Sequence, residues 1–134
     1  MFERLLILLL VAGTIAALLG ALRYWHARRL ARLAAETPFA AIIPPGRPAV
    51  IAFSAPNCAE CRTRQGPALE RLAAEWGEAV VIRSLAAPAY PELVDRLGLL
   101  TVPATAVVDS RGRVRALNLG YAPAEQLAAQ LRAL

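Results

Sequence analysis

The sequence contains two cysteines, Cys58 and Cys61, in the run Asn-Cys-Ala-Glu-Cys-Arg. Two thiols at this spacing can form a reversible redox pair, a structural cross-link or half of a metal site. A loop this short gives little stabilisation by loop-closure entropy, which disfavours a purely structural disulfide. Zinc needs about four ligands, and His26 is the one histidine in the chain and lies far from the pair. The spacing therefore favours redox chemistry and predicts no metal.

The segments on either side of the pair suit this chemistry. Residues 49–54 form a short apolar run, which is typical of a strand that is buried on both faces. Residues 58–76 favour a helix, with an apolar stripe at helical spacing. Cys58 would then lie at the N-terminus of this helix, where backbone amides and the helix dipole stabilise a thiolate. Cys61, one turn further on, would lie within disulfide reach.

The chain after the pair alternates between strand and helix patterns. A turn at 110–112 joins two of the strands, because Gly112 can supply a positive φ. Further strands are predicted at 79–85, 105–109 and 113–119, and further helices at 90–97 and 122–134. The order β-α-β-α-β-β-α predicts an α/β domain with a mixed sheet: a parallel core from right-handed crossovers and a terminal antiparallel hairpin.

The N-terminal part of the chain is a candidate membrane anchor. Residues 5–22 carry no charge and as a helix would span about 27 Å, close to the thickness of a hydrocarbon core. Tyr24 and Trp25 follow at the position of interfacial aromatic anchors. A cleaved signal peptide is the alternative, but its apolar region is usually shorter and is followed by a small-residue cleavage site. The sequence favours one retained transmembrane helix in contact with the lipid bilayer.

Three segments follow from this pattern. Residues 1–36 are predicted to form the anchor and a basic helical stalk, because 23–36 contain strong helix formers and no Gly or Pro. Residues 37–47 are predicted to be a proline-rich linker, since Pro38 disfavours helix in the residue before it, with a short edge strand at residues 39–43 as the alternative. Residues 48–134 are predicted to form one compact domain.

The distribution of charge indicates topology rather than nucleic-acid binding. The net charge of the chain is +5, of which +3 lies in residues 1–36, and all 15 basic residues are Arg. The remainder is nearly balanced, with scattered Arg residues, so we predict no nucleic-acid partner. The positive-inside rule, applied to the Arg residues that follow the apolar run, favours the cytoplasmic face for the domain. The extracytoplasmic face is the alternative.

Residues 48–134 resemble the thioredoxin family. The order and spacing of several motifs carry the resemblance: AVIAFSAPNCAEC at 49–61, Thr101-Val102-Pro103, TAVVDSRGRV at 105–114, and Gly120. The resemblance implies a thioredoxin-like fold, with Cys58 as the attacking thiol and Cys61 as the resolving thiol. It also implies that Pro103 is a cis-proline beside the disulfide and that Val102 offers its backbone to an extended substrate.

The sequence departs from the family pattern around the cysteines. Ala52 occupies the position of the buried acid that typically assists proton transfer, and Asn57 replaces the usual Trp before the first Cys. Two interpretations of Glu60 stay open, since its carboxylate could partly replace the missing acid or could simply lie on the first helical turn. A carboxylate there also opposes a thiolate on Cys58. Asn57 and Glu60 are therefore candidate modulators of the pair.

These features together predict a membrane-tethered thiol-disulfide oxidoreductase that exchanges disulfides with protein substrates. The chemistry requires protein thiols or disulfides and a thiol reductant or oxidant as partners, and no metal or organic cofactor. The alternative is a thioredoxin-like binding or adaptor module at the membrane, with vestigial cysteines.

Overall fold

The computed structural model describes residues 1–134, with the exception of the side chain of residue 34. The chain divides into two compact units, Met1–Arg32 and Leu33–Leu134. A single helix, α1, spans Phe2–Glu36, so that its last turn belongs to the second unit. We describe each unit by itself.

The first unit is helical from Phe2 onwards and exposes its apolar side chains. Residues Phe2–Leu33 include an 18-residue window with a mean hydropathy of 2.7, none of which is buried inside the protein. By length and composition this helix could cross a bilayer, a property that it shares with signal sequences. The Thr14 hydroxyl donates a hydrogen bond to the carbonyl oxygen of Leu10 at 2.8 Å, so this polar group has a partner within the helix.

The second unit is built on a four-stranded mixed sheet with helices on both faces. Its strands lie in the order β2-β1-β3-β4. The strands are β1 (Ala49–Ser54), β2 (Val81–Ala86), β3 (Ala104–Val108) and β4 (Val114–Leu119). The helices that follow α1 are α2 (Gly66–Trp76), α3 (Pro91–Leu97) and α4 (Ala124–Arg132).

The parallel part of the sheet is smaller than the sequence predicts. Strands β1 and β2 are parallel, but β3 pairs antiparallel with β1 and with β4. Helical residues 59–76 connect β1 to β2. They are about 27 Å long, enough to return the chain to the end of the sheet at which β1 begins. Residues 87–103, which include α3, instead bring the chain back to the end of the sheet where β2 finishes, so β3 runs antiparallel to β1.

Strand β1 lies in the middle of the unit and is buried on both faces. On one face Val50 and Ala52 pack with α2 and α4, while Ile51 and Phe53 on the other pack with α3 and with the chain before β1. The near-continuous apolar pattern of β1 follows from this two-sided burial.

The segment before β1, expected to be a linker, contributes to the core. Phe39 is fully buried and its ring lies 6.2 Å from that of Phe53, while Ile43 and Leu33 join the same cluster. An ion pair between Glu36 and Arg96 at 2.9 Å joins the end of α1 to α3. The compact unit therefore begins at Leu33, upstream of the proline-rich segment.

Helices α2 and α4 lie side by side on the other face of the sheet. Their exposed sides are joined by an ion pair between Arg71 and Glu125 at 2.9 Å. The backbone amide of Glu125 and then the Arg71 guanidinium hold the pKa of the Glu125 carboxyl below its usual value. Since this carboxyl is fully exposed, we assign the pair no stability.

Replacing Phe39 tests whether the proline-rich segment is part of the fold. We expect Phe39→Ala to lower the free energy of unfolding by about 3–5 kcal/mol, because a fully buried ring leaves a cavity. Urea unfolding of the full-length protein in detergent measures this. The control is Leu100→Ala, whose side chain is 93% exposed, with an expected change of at most about 0.5 kcal/mol. Equal effects of the two substitutions would mean that residues 37–47 act as a free linker.

Candidate functional site

The two cysteines form a disulfide at the point where β1 leads into a helix. Their Cα atoms are 5.3 Å apart. Cys58 is half-buried and lies at the entrance to the helix, whereas Cys61, one turn on, is only 8% exposed. The more accessible sulfur is therefore that of Cys58.

Backbone hydrogen bonds hold the Cys58 sulfur at the helix N-terminus. The N–H group of Cys61 donates to Cys58 Sγ at 3.2 Å, and the N–H group of Cys58 donates to the carbonyl oxygen of Ala55 at 3.1 Å. The Arg62 guanidinium donates to the carbonyl oxygen of Pro56 at 2.9 Å and so fixes the preceding loop. An amide aimed at a sulfur stabilises negative charge there, which is the arrangement that an attacking thiolate requires.

The helix that carries the pair contains a π-helical turn at Cys61–Gln65. The N–H group of Gly66 donates to the carbonyl oxygen of Cys61 and closes this wide turn. A Cβ atom at position 66 would lie 3.3 Å from the same oxygen, so glycine allows the close approach. Turns of this kind are frequent at functional sites, and here the turn lies directly after the buried cysteine.

A cavity of about 360 Å³ lies beside Cys61 beneath the helix. Ala52 and Ser84, which are register neighbours on β1 and β2, line it together with Gln65 and Leu69. No carboxylate is among the described residues that line this cavity. The position of the family's buried acid is therefore occupied by Ala52, with open space beside it.

The two candidate modulators are on the surface. Glu60 lies one turn before Arg64, and its carboxylate is 3.5 Å from the Arg64 guanidinium. The Glu60 side chain is 47% exposed and does not line the cavity beneath Cys61. Asn57 is exposed in the loop before Cys58. This geometry favours Glu60 as a surface residue of the first helical turn.

The loop that contains Val102 and Pro103 lies at the same end of the sheet as the disulfide. Phe53 pairs with Ala104, so the end of β1, which leads to the cysteines, is beside the start of β3. The Val102–Pro103 peptide bond is cis, Pro103 is buried and Val102 is half-buried. The Pro103 carbonyl oxygen accepts a hydrogen bond from the N–H group of Gly120 at 2.9 Å.

Gln65 is a site residue that the sequence analysis missed. Its side chain is 2% exposed, and its amide makes two hydrogen bonds of 3.0 Å to the backbone of Ala122. A signal was present in the sequence, because Gln65 precedes Leu69 and Leu72 at the spacing of the buried helical face. A polar residue on such a face requires a specific partner.

The described residues include no group of three or more His, Cys, Asp or Glu side chains placed to hold a metal ion. The arrangement around Cys58 and Cys61 brings together two sulfurs and the backbone amides of the first helical turn. A dithiol that closes to a disulfide releases two electrons and two protons.

Comparison with known proteins gives one similar sequence and several similar folds. The chain is 33% identical over 85 residues to a thioredoxin of Alicyclobacillus acidocaldarius subsp. acidocaldarius, an alignment that covers 63% of this chain and 79% of that protein. No protein-family model matches the chain.

The similar structures support the fold alone, because their sequence identities are low. One is thioredoxin-2, described as a component of malaria parasite protein secretion machinery, with a TM-score of 0.59 and 15% identity over 66% of this chain and 84% of that one. Another is chloroplastic thioredoxin z, with a TM-score of 0.55 and 20% identity over 66% of this chain and 80% of that one.

The difference in exposure between the two cysteines predicts their order of reactivity. After reduction of the full-length protein, a limiting amount of iodoacetamide should alkylate Cys58 before Cys61, because Cys58 is accessible and has an amide aimed at its sulfur. Mass spectrometry of the digested protein measures the modification of each cysteine over time. Equal modification of the two thiols from the start would contradict the assigned geometry.

Proposed function

The chain belongs to the thioredoxin family, and on that premise we propose that it is a membrane-tethered oxidoreductase that exchanges disulfides with protein substrates. The observation that carries the proposal is the Cys58–Cys61 disulfide at a helix N-terminus, with the Cys61 amide 3.2 Å from Cys58 Sγ. The reactive pair requires no metal or organic cofactor, since thiol-disulfide exchange transfers electrons between sulfurs directly.

The reaction begins with the reduced protein and a substrate disulfide. The Cys58 thiolate attacks one substrate sulfur, the substrate S–S bond breaks, and the released substrate thiolate takes up a proton. The Cys61 amide and the helix N-terminus stabilise the attacking thiolate. The product of this step is a mixed disulfide between Cys58 and the substrate.

Cys61 completes the exchange. Its thiol loses a proton, and the resulting thiolate attacks Cys58 Sγ. The mixed disulfide breaks, the second substrate sulfur leaves as a thiolate that takes up a proton, and the Cys58–Cys61 disulfide remains. Burial disfavours the charged thiolate, and no carboxylate lines the cavity beside Cys61 to accept its proton. The substrate thiolate released in the first step is the base that this scheme supplies, and it takes up the Cys61 proton.

Two electrons and two protons pass to the substrate in one cycle. A thiol reductant must then reduce the pair again, and an oxidant takes its place when the same steps run in reverse to oxidise protein dithiols. The relative reduction potentials of this pair and of its partner set the direction.

Residues 5–22 would hold the domain at the membrane as a single transmembrane helix. The support is the length and hydropathy of α1 and the aromatic pair that follows the apolar run at Tyr24 and Trp25. The Arg residues after this run favour the cytoplasmic face for the domain under the positive-inside rule. The side of the membrane determines which reductants and substrates the disulfide meets.

Substitution of each cysteine tests the redox function. The reduced full-length protein in detergent should reduce insulin disulfides, and Cys58→Ser should abolish this activity because the attacking thiol is lost. Cys61→Ser should instead accumulate a covalent complex with substrate that dithiothreitol releases. Insulin turbidity and non-reducing electrophoresis measure the two outcomes.

The control for this experiment is the double substitution of both cysteines. Parental activity in Cys58→Ser would contradict the oxidoreductase. Substrate proteins that stay bound to the double variant, without any covalent complex in Cys61→Ser, would instead support the adaptor module.

A reporter fused after Leu134 tests the anchor and its orientation. We expect the full-length fusion to stay in the membrane after alkaline carbonate extraction, which tests the anchor. For the orientation, green fluorescent protein fused after Leu134 should fluoresce, and alkaline phosphatase fused at the same position should be inactive. Release by carbonate would contradict the anchor. Active phosphatase would place the domain on the extracytoplasmic face. Substituting Arg23, Arg28, Arg29 and Arg32 together should shift the balance towards active phosphatase.

A further inference from the structure

The loop at residues 120–122, which joins β4 to α4, is bonded to both halves of the site. At one end, the Gly120 N–H group donates to the carbonyl oxygen of Pro103 at 2.9 Å. At the other end, Ala122 is bonded through its backbone to the side chain of Gln65, four residues after Cys61. Three consecutive residues therefore connect the Pro103 loop to the helix that carries the cysteines.

The contact between Gln65 and Ala122 uses both ends of the side-chain amide. Gln65 Oε1 accepts from the Ala122 N–H group at 3.0 Å, and Gln65 Nε2 donates to the Ala122 carbonyl oxygen at 3.0 Å. Gln65 is 2% exposed and Ala122 is fully buried, so water does not compete for these bonds. A donor and an acceptor in this geometry define the position of the loop more closely than an apolar contact would.

A second contact lies on the outer side of the same loop. The Arg64 guanidinium lies 4.2 Å from the centre of the Tyr121 ring, and Arg64 also pairs with Glu60. Arg64 is 60% exposed, so solvent screens this contact and it contributes less than the buried amide. Neighbouring residues of the helix thus hold neighbouring residues of the loop.

We propose that Gln65 is a positioning residue, which acts by holding the 120–122 loop and through it the Pro103 loop in register with Cys58. This inference rests on the proposed function and names a residue that determines how protein substrates bind. An extended substrate segment must contact the Val102–Pro103 loop while its sulfur meets Cys58 Sγ. A small disulfide needs only access to Cys58 Sγ. It does not depend on how the Val102–Pro103 loop is placed relative to the helix that carries Cys58. Gln65 therefore matters for protein disulfides and not for small ones.

The test compares Gln65→Met with Gln130→Met in the full-length protein in detergent. Both substitutions replace an amide by an unbranched apolar side chain of similar size. Gln130 also makes hydrogen bonds through its side-chain amide, at 2.8 Å to Asn118, but it does not contact the 120–122 loop through them. The readouts are kcat and KM for insulin, the reaction rate of the reduced protein with 5,5′-dithiobis(2-nitrobenzoate), and the melting temperature.

We expect Gln65→Met to lower kcat/KM for insulin about tenfold, mainly through KM, since two buried hydrogen bonds are lost. The reaction with the small disulfide should change less than about twofold, because it does not depend on the loop. Gln130→Met should change the rates of both reactions less than about twofold. This should hold even if it lowers the melting temperature as much as Gln65→Met does.

A milder variant covers the case in which Gln65→Met does not fold. Gln65→Asn keeps the donor and the acceptor on a side chain that is one methylene shorter, so that it reaches the Ala122 backbone less well, and its KM for insulin should lie between those of the parent and of Gln65→Met. The control is Gln130→Asn. A normal insulin KM in both folded Gln65→Asn and folded Gln65→Met would count against the proposal.

Two other results would overturn the inference. Equal losses for insulin and the small disulfide would mean that Gln65 affects the sulfur chemistry or the fold as a whole. Equal losses in Gln65→Met and Gln130→Met would mean that the loss of any hydrogen-bonded side-chain amide in this unit has the same effect. A parent protein that reduces neither disulfide would instead contradict the proposed function.

Discussion

The hydrogen bond from the Cys61 amide to Cys58 Sγ is the contact on which the rest of the site depends. It forms only if a helix begins within a few residues of the end of β1, because the amides with free N–H groups lie in the first turn. The burial of β1 on both faces fixes where that strand ends, and the loop at 55–57 is held by Arg62. The accessible sulfur and the buried sulfur then follow from the direction of the helix.

The same helix must also pack on the sheet, and the π-helical turn reconciles the two requirements. The extra residue in the turn shifts the face of Cys58 and Cys61 relative to the regular helix that follows, in which Gln65 shares the buried face with Leu69 and Leu72. Gly66 allows the turn to close against the Cys61 carbonyl oxygen. The cysteines can thus lie at the end of β1 while the buried face of the helix packs on the sheet and on the 120–122 loop.

Most of the fold could be predicted from the sequence, because the patterns that indicate strands and helices lie within short stretches of the chain. The strand at 49–54 was predicted with its exact bounds, and the order of elements was correct, since alternating apolar runs and helical stripes are visible in any short window. Other strand boundaries shifted by one or two residues. The antiparallel direction of β3 was not visible, because it depends on the path that residues 87–103 take across the sheet rather than on any residue of β3.

The site was predicted less completely for a similar reason. Cys58 and Cys61 could be found from their spacing, and Pro103 from its place in a motif. Gln65 and Ala122 are 57 positions apart, and no local pattern connects them. Residues 39–43 offered an edge strand as the alternative to a linker, but they form turns, and the buried ring of Phe39 places the segment in the core.

The buried polar side chains in the described part of the chain share one property that bears on the chemistry. They are Gln65, Thr105 and Asn118, and none of them ionises. The Asn118 side chain is hydrogen-bonded to Thr105, Gln126 and Gln130, and so connects the sheet to α4. In the same way, Gln65 connects the cysteine-bearing helix to the 120–122 loop. These hydrogen bonds join neutral groups, so none of them is gained or lost by protonation of a side chain that makes it. The buried connections from the helix to the loop and from the sheet to α4 therefore depend on geometry alone.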